Sequence, residues 1–394
     1  MGHPAPASGS RRPPISPLTV FGLTLLPSLR DACVALGRPL ACVSIVRPLG
    51  PKANLDHYLA RPCPSVPVYG VKWEEGAVQP HNEFRIHPQV VQIGCYWGEG
   101  GHTELYLLEG DTLAIVDTGV NDTPSQYIAP ALEAQGRMLG DIDLILNTHG
   151  HHDHAGGNAE LVAASGAKVW IHEADARVAE DPDYQFDTYF ASRDVLVGRP
   201  DRLDASRAAL KVTAGQPAKV DRKLTDGDLL DLGKGINLRV VHTPGHTRGS
   251  VCYYWESEGL AFCGDSVMGQ GSRPGGFPLI YFPADYELTI ERLLRMEIAA
   301  LGLGHHYRTR AVPRDSVHFG PNVKAYLRAS REIADTIGDS LRSARAVRPQ
   351  AGFLEVAQAA TNLAAERLPI TKGEDGLPLT AGVEAFYGYW QLLR

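Results

Sequence analysis

The 394-residue chain lacks any run of 18 or more apolar residues, which argues against a conventional membrane-spanning helix. Cysteine is sparse: the six residues never fall in CxxC spacing, so they suggest neither a disulfide framework nor a cysteine zinc site. Positive charge is not in excess. Lys and Arg total 38 against 45 Asp and Glu, and a net charge of −7 does not suit a general nucleic-acid binder. No internal repeat at a solenoid period is present. Hydrophobic residues at 44% and charged residues at 21% are ordinary for a folded protein and rule out a wholly disordered chain. The length allows two or three average domains, or one large domain with additions. What stands out is histidine. Eight of the 15 (His149, His151, His152, His154, His242, His246, His305 and His306) fall in three short segments.

Residues 1–83 carry no legible chemistry and are read as an N-terminal extension. Its first 17 residues are rich in Pro, Ser and Gly, and the proline-dense stretch 38–70 suits an extended arm. Arg11 and Arg12 precede a fairly apolar stretch, which raises a secretory or twin-arginine signal. Pro27 interrupts that stretch and no clear small-residue cleavage site follows, so the expected location is cytoplasmic.

From residue 84 the pattern becomes alternating. Strands are expected at 87–93, 104–108, 112–116, 142–146 and 168–171, with helices at 125–138 and 158–164. Residues 175–215 break the rhythm and hold Tyr184, Phe186, Tyr189 and Phe190. They read either as a helical insertion on the surface or as a lid that brings aromatics over a pocket. Strands return at 238–242, 251–255 and 260–263, followed by a helix at 286–300. Residues 319–394 read as a helical C-terminal extension, with helices near 323–343, 353–368 and 383–393.

The central motif is Thr148-His149-Gly150-His151-His152-Asp153-His154, directly after an apolar strand. By chance, HxHxDH should occur roughly once in a thousand such sequences. His149 and His151 can aim two imidazoles at one ion from a tight loop, and Asp153 and His154 can turn toward a second. His246, at the tip of a Pro-Gly turn, is a third ligand for the first ion. His242, four residues earlier, reads as a structural histidine. Asp265 follows Gly264 at another strand end and can give one oxygen to each of two metals. The last ligand comes from His305 or His306, with His305 preferred because it directly follows Gly304. A donor set of N and O without thiolate suits Zn²⁺ and is also compatible with Fe, Mn²⁺ or Co²⁺.

HxHxDH, then His in TPGHTRGS, then Asp after Gly, then Gly-His, resembles the metallo-β-lactamase-fold superfamily of dinuclear metallohydrolases over residues 84–318. Within it, the chain is closer to the glyoxalase II and lactonase-like branch, because Asp265 supplies a bridging carboxylate that true β-lactamases generally lack. The resemblance implies an α/β fold, a four-layer αββα sandwich, here with an N-terminal arm and a C-terminal helical extension. It implies two divalent metal ions, with His149, His151 and His246 on the first and Asp153, His154 and His305 on the second. Asp265 would bridge them, Asp153 would pass a proton to the leaving group, and Asp117 of the Asp117-Thr118-Gly119 turn would orient the ligands.

The expected reaction is attack of a metal-bridging hydroxide on an ester, thioester, lactone or amide of a small molecule. Alternatives are a phosphodiesterase with the same centre and a mononuclear-iron sulfur dioxygenase. Tyr184, Tyr189, Tyr307 and Arg308 are the candidate pocket residues. Arg310 and Arg314 extend the positive charge near Arg308, which reads either as a receiver for an anionic substrate group or as a solvated loop. The extensions are candidate contacts for a homo-oligomer, and neither nucleic acid nor a membrane is an expected partner.

Overall fold

The reason for the layering is visible in single strands, where apolar residues occupy both faces instead of alternating with polar ones. In β3 (Gly101–Glu109) of the computed structural model, Leu105 and Leu107 face one core, and Tyr106 and Leu108 face another. In β10 (Val251–Trp255) the same split separates Cys252 and Tyr254 from Val251, Tyr253 and Trp255. A sheet buried on both sides needs a partner on each. The structure describes residues 83–393, apart from Glu99 and Thr380. The signal-like segment, the proline-rich arm and Cys33, Cys42 and Cys63 lie outside the described residues.

Two sheets supply the inner layers. The first runs in the order β1 (Glu83–His87), β2 (Val90–Trp97), β3, β4 (Leu113–Val116), β5 (Leu144–Leu146), β6 (Lys168–His172), β7 (Arg222–Leu224). Its first four strands are antiparallel, and β4 to β7 pair in parallel. The second sheet contains β8 (Leu229–Asp231), β9 (Asn237–His242), β10, β11 (Leu260–Phe262), β12 (Ala300–Gly302) and β13 (Val317–Phe319) in consecutive positions. Tyr106, Val116 and Leu146 from one sheet meet Val240, Tyr253 and Phe262 from the other in the central core. Two tyrosines there also fix distant backbone: Tyr106 Oη donates to Leu303 O at 2.7 Å, and Tyr253 Oη to Asn147 O at 2.8 Å. Both carbonyls sit just ahead of histidine segments.

The outer layers are helical. Ile128, Leu132 and Leu161 cover the first sheet. The second is covered by helices Pro283–Arg295, Pro321–Val347, Phe353–Ala364 and Glu384–Gln391, whose Ile290, Leu293, Ile337, Leu341 and Phe386 join one core with Cys252 and Leu301. This is an αββα sandwich with a helical C-terminal extension. Among the described residues no helix is long and apolar enough to cross a membrane.

Several expected elements shift for identifiable reasons. The strand expected at 87–93 breaks into β1 and β2, because Pro88 has no N–H to continue the ladder. The helix expected at 125–138 is a widened π turn over Pro124–Ile128 and a short helix Ala129–Glu133, since Pro130 removes a donor inside it. The helix expected at 286–300 begins at Pro283, which suits a first turn, and ends at Arg295. Met296 turns extended there (φ −84°, ψ 152°) and the chain enters β12.

Two stability predictions follow from this packing. Leu341 is fully buried among the outer helices, so Leu341→Ala should cost about 2–5 kcal/mol in urea unfolding. A single transition moving to lower urea is expected; a separate early transition would show that the C-terminal helices unfold on their own. Glu384 is buried with Oε1 unpartnered, and burial pushes its carboxyl up to about 8 despite Arg193 nearby. Between its ordinary value near 4.5 and about 8, the folded chain therefore holds a proton that the unfolded chain has lost. Stability should fall as pH rises through that window. Glu384→Gln should remove this component, so its urea midpoint gains on the parent between pH 5 and pH 8.

Candidate metal centre

The parallel strand β5 ends at Leu146, and the metal-capable loop begins at once, at the carboxyl edge of the sheet where α/β proteins place ligands. His151 is extended (φ −68°, ψ 153°), and the one-turn helix His152–Ala155 starts immediately after it. That change of conformation sends His149 and His151 one way, and Asp153 and His154 another.

The first group is His149, His151 and His246, all buried, with ligand atoms within 4.8 Å of one another. His151 Nδ1 and His246 Nε2 stand 2.9 Å apart. The second is Asp153, His154 and His305, in which His154 Nε2 lies 3.3 Å from His305 Nε2 and Asp153 Oδ2 lies 3.5 Å from His305 Nε2. Asp265 stands between them. Its Oδ1 is 3.4 Å from His154 Nε2, and its Oδ2 is 3.4 Å from His305 Nε2 and 3.6 Å from His246 Nε2. Gly304 permits this convergence: a Cβ there would lie 2.5 Å from Asp265 Oδ1 and 2.6 Å from His154 Cε1.

The far side of three of the rings is held by an acceptor, which dictates the tautomer. His154 Nδ1 donates to Asp117 Oδ2 at 2.8 Å, His246 Nδ1 to Leu279 O at 2.8 Å, and His305 Nδ1 to His102 O. Each leaves Nε2 aimed inward. Asp117 also accepts from Thr148 N and Thr148 Oγ1, both at 2.7 Å. Its left-handed backbone (φ 61°) costs about 1 kcal/mol or more, which these three hydrogen bonds offset.

Burial, then mutual repulsion, push His149 and His151 well below the ordinary imidazole value, and burial also lowers His246. These three are neutral and offer lone pairs. Burial opposes charge on His154 and His305 as well, but Asp265 and Asp153, joined on His154 by Asp117, outweigh it and raise both. Burial works to raise the Asp153 carboxyl, yet His154, His152 and His305 bring it to about 2. A cation entering the second group would displace protons from it. The donor set fits divalent metal: His149 Nε2 and Asp265 Oδ1 are buried without hydrogen-bond partners, and every ligand is N or O.

Other candidate residues divide. Tyr189 places its ring 4.8 Å from His151, backed by Tyr281 at 5.0 Å, and Phe190 lies 5.3 Å from His151. Tyr307 is buried with its hydroxyl unpartnered, its ring 5.4 Å from His305. Tyr184 instead lies under the Arg177 guanidinium, 4.0 Å from its centroid. Arg308 Nε donates to Ser272 O at 3.4 Å. His242 stacks on His172 at 4.2 Å, and its Nε2 meets Arg248 O at 2.8 Å, a structural arrangement. His306 faces away from the centre, toward His102 and Glu104. The carboxyl of Glu104 is buried, which works to raise it, but His102 and His306 bring it down to about 2.

The Metallo-beta-lactamase superfamily model matches residues 98–305, a little over half of the chain. The chain belongs to the metallo-beta-lactamase superfamily. It is 31% identical over 141 residues to a hydroxyacylglutathione hydrolase of a Polaromonas species, covering 35% of this chain and 39% of that one. Over 213 residues it is 29% identical to an acyl-coenzyme A thioesterase of Gallus gallus, covering 53% and 72%. A beta-lactamase domain protein of Burkholderia ambifaria shares the fold, with a TM-score of 0.60 over 81% of this chain and 90% of its own at 16% identity. The chain spans 39% of that hydroxyacylglutathione hydrolase and 58% of a beta-lactamase-like protein 2 homolog of Drosophila melanogaster, less than two thirds of either.

Two residues that support this candidate centre carry almost no signal in the sequence. Asp175 is fully buried; its Oδ2 accepts from Gly150 N at 3.0 Å and its Oδ1 from Gly249 N at 2.8 Å, tying the first histidine loop to the loop of His246. Gln185 accepts from His152 N at 3.1 Å and donates to Gly150 O at 2.7 Å. Asp175 lies just past β6, beside β5, and that position at a parallel strand end was its only signal. Asp175→Ala should leave two buried N–H groups unpaired. A loss of about 1–3 kcal/mol and roughly 10–100-fold weaker zinc binding are expected, read by urea unfolding and by competition with a chromophoric chelator. Unchanged zinc affinity would show that Asp175 does not position the ligands.

Proposed function

We propose that the chain is a dinuclear metal-dependent hydrolase that cleaves an ester, thioester, lactone or amide of a small molecule, with a thioester as the leading substrate class. The observation that carries this reading is Asp265, whose carboxylate reaches both groups: Oδ1 approaches His154 of the second, and Oδ2 approaches His246 of the first and His305 of the second. The named activities of the two curated relatives, on acylated glutathione and acyl-coenzyme A, favour a thioester.

His149, His151 and His246 would hold one divalent ion, most simply Zn²⁺, and Asp153, His154 and His305 a second, with Asp265 shared. When bound, such a pair supplies Lewis acidity for the scissile carbonyl and lowers the pKa of water toward about 7. Asp117, Leu279 O and His102 O keep the rings oriented while charge develops. Asp153, ionised in the buried centre, can accept the proton of attacking water and deliver it to the departing thiolate. Tyr189, Phe190 and Tyr281 wall the His151 side with aromatic surface and limit the entry of bulk water.

The test is a substrate panel on protein stripped with chelator and reloaded with zinc. Turnover of S-lactoylglutathione or an acyl-coenzyme A is expected, lost on stripping and restored by Zn²⁺. Asp265→Ala should remove at least one ion per chain and lower kcat/KM by 10²-fold or more, about 2.7 kcal/mol of transition-state stabilisation. Turnover of bis-nitrophenyl phosphate alone would point to a phosphodiesterase. A single iron with oxygen uptake on a persulfide would point to the dioxygenase chemistry.

A further inference from the structure

A second cluster of ligand-type side chains lies beside this centre and takes no part in it. β3 carries His102 and Glu104 two residues apart, so both project from one face of the strand. The chain that has just delivered His305 then brings His306 to the same place. The Nε2 atoms of His102 and His306 both lie 2.9 Å from one oxygen, Glu104 Oε1. Their ring centroids are 4.3 Å apart.

From these positions we propose that His102, Glu104 and His306 form a third cation site, of two nitrogens and one carboxylate oxygen, suited to Zn²⁺ or a related divalent transition metal.

Three features favour a cation over a simple hydrogen-bonded cluster. His102 Nε2 is buried and makes no aligned hydrogen bond despite its short distance to Glu104, so the approach is close without being directed as N–H to O. The other carboxylate oxygen is already engaged: Gln92 Nε2 donates to Glu104 Oε2 at 2.7 Å, and that amide is itself held 2.7 Å from Ser316 Oγ. This is how an outer residue aims a ligating carboxylate, leaving Oε1 for the two imidazoles and whatever they hold. Finally, Glu104 is only 2% exposed, and a buried carboxylate calls for a positive charge at close range. The imidazoles are the more open side, with side chains 13% and 18% exposed, so water can complete a four-coordinate shell around three protein ligands.

The site would also brace the catalytic centre. His305 Nδ1 donates to the carbonyl of His102, and His306 is its chain neighbour. One ion held by His102 and His306 would clamp both sides of that contact and so fix the ring of His305.

The experiment counts ions on the full chain. Stripped protein is titrated with Zn²⁺ under equilibrium dialysis and the bound metal measured by mass spectrometry, with Co²⁺ absorption as a second readout. Three ions per chain are expected in the parent and two in His102→Gln and in His306→Gln, with far-ultraviolet circular dichroism checking that each variant is folded. His306 is the more exposed of the two and the safer variant for folding. His246→Ala should lose an ion while keeping the Co²⁺ band that His306→Gln abolishes. The same count in parent, His102→Gln and His306→Gln would overturn the third site and leave the dinuclear reading standing. A count that drops in His306→Gln but not in His246→Ala would support the third site while removing the dinuclear one.

Discussion

Everything in this molecule is arranged around one electrostatic difficulty: five imidazoles and two carboxylates are held largely buried and nearly in contact. Left to themselves, such groups would separate or neutralise one another by proton exchange. Three of the rings are gripped from behind. Asp117 holds His154, the Leu279 carbonyl holds His246, and the His102 carbonyl holds His305. Their inward atoms are thereby kept facing one another, an arrangement that makes sense as a cradle for cations.

That grip needs a rigid frame, and the sandwich supplies it. The ligand loops leave the ends of β5, β9, β11 and β12, whose side chains are packed on both faces. Tyr106 and Tyr253 reach across the central core to backbone just before two of those loops. The helical segment that follows β6 contributes from outside: Asp175 and Gln185 anchor the first loop, and Tyr189 and Phe190 line it. The C-terminal helices stiffen the opposite layer by sharing its core.

The parts legible in the sequence were those with local spacing. The HxHxDH run is a local pattern, and so are the turns that present His246 and Asp265. The short helix after the π turn and the split between β1 and β2 were missed because single prolines, at 130 and 88, altered the backbone inside runs whose apolar pattern looked continuous. Asp175, Gln185, Gln92 and Glu104 were missed for a different reason. Each is an ordinary polar residue whose importance comes from partners up to 224 positions away, or from burial that no local pattern reveals.

By itself the sequence determined which donors are on offer: an N and O set without thiolate, placed at the ends of apolar strands, with one carboxylate after a glycine turn. Which donor meets which was decided by the tertiary structure. His305 and His306 are adjacent and of one residue type, yet one faces Asp153 and Asp265 while the other faces Glu104. Neighbouring side chains diverge from the backbone, and only the docking of that loop between β3 and the first histidine loop assigns each to its surroundings.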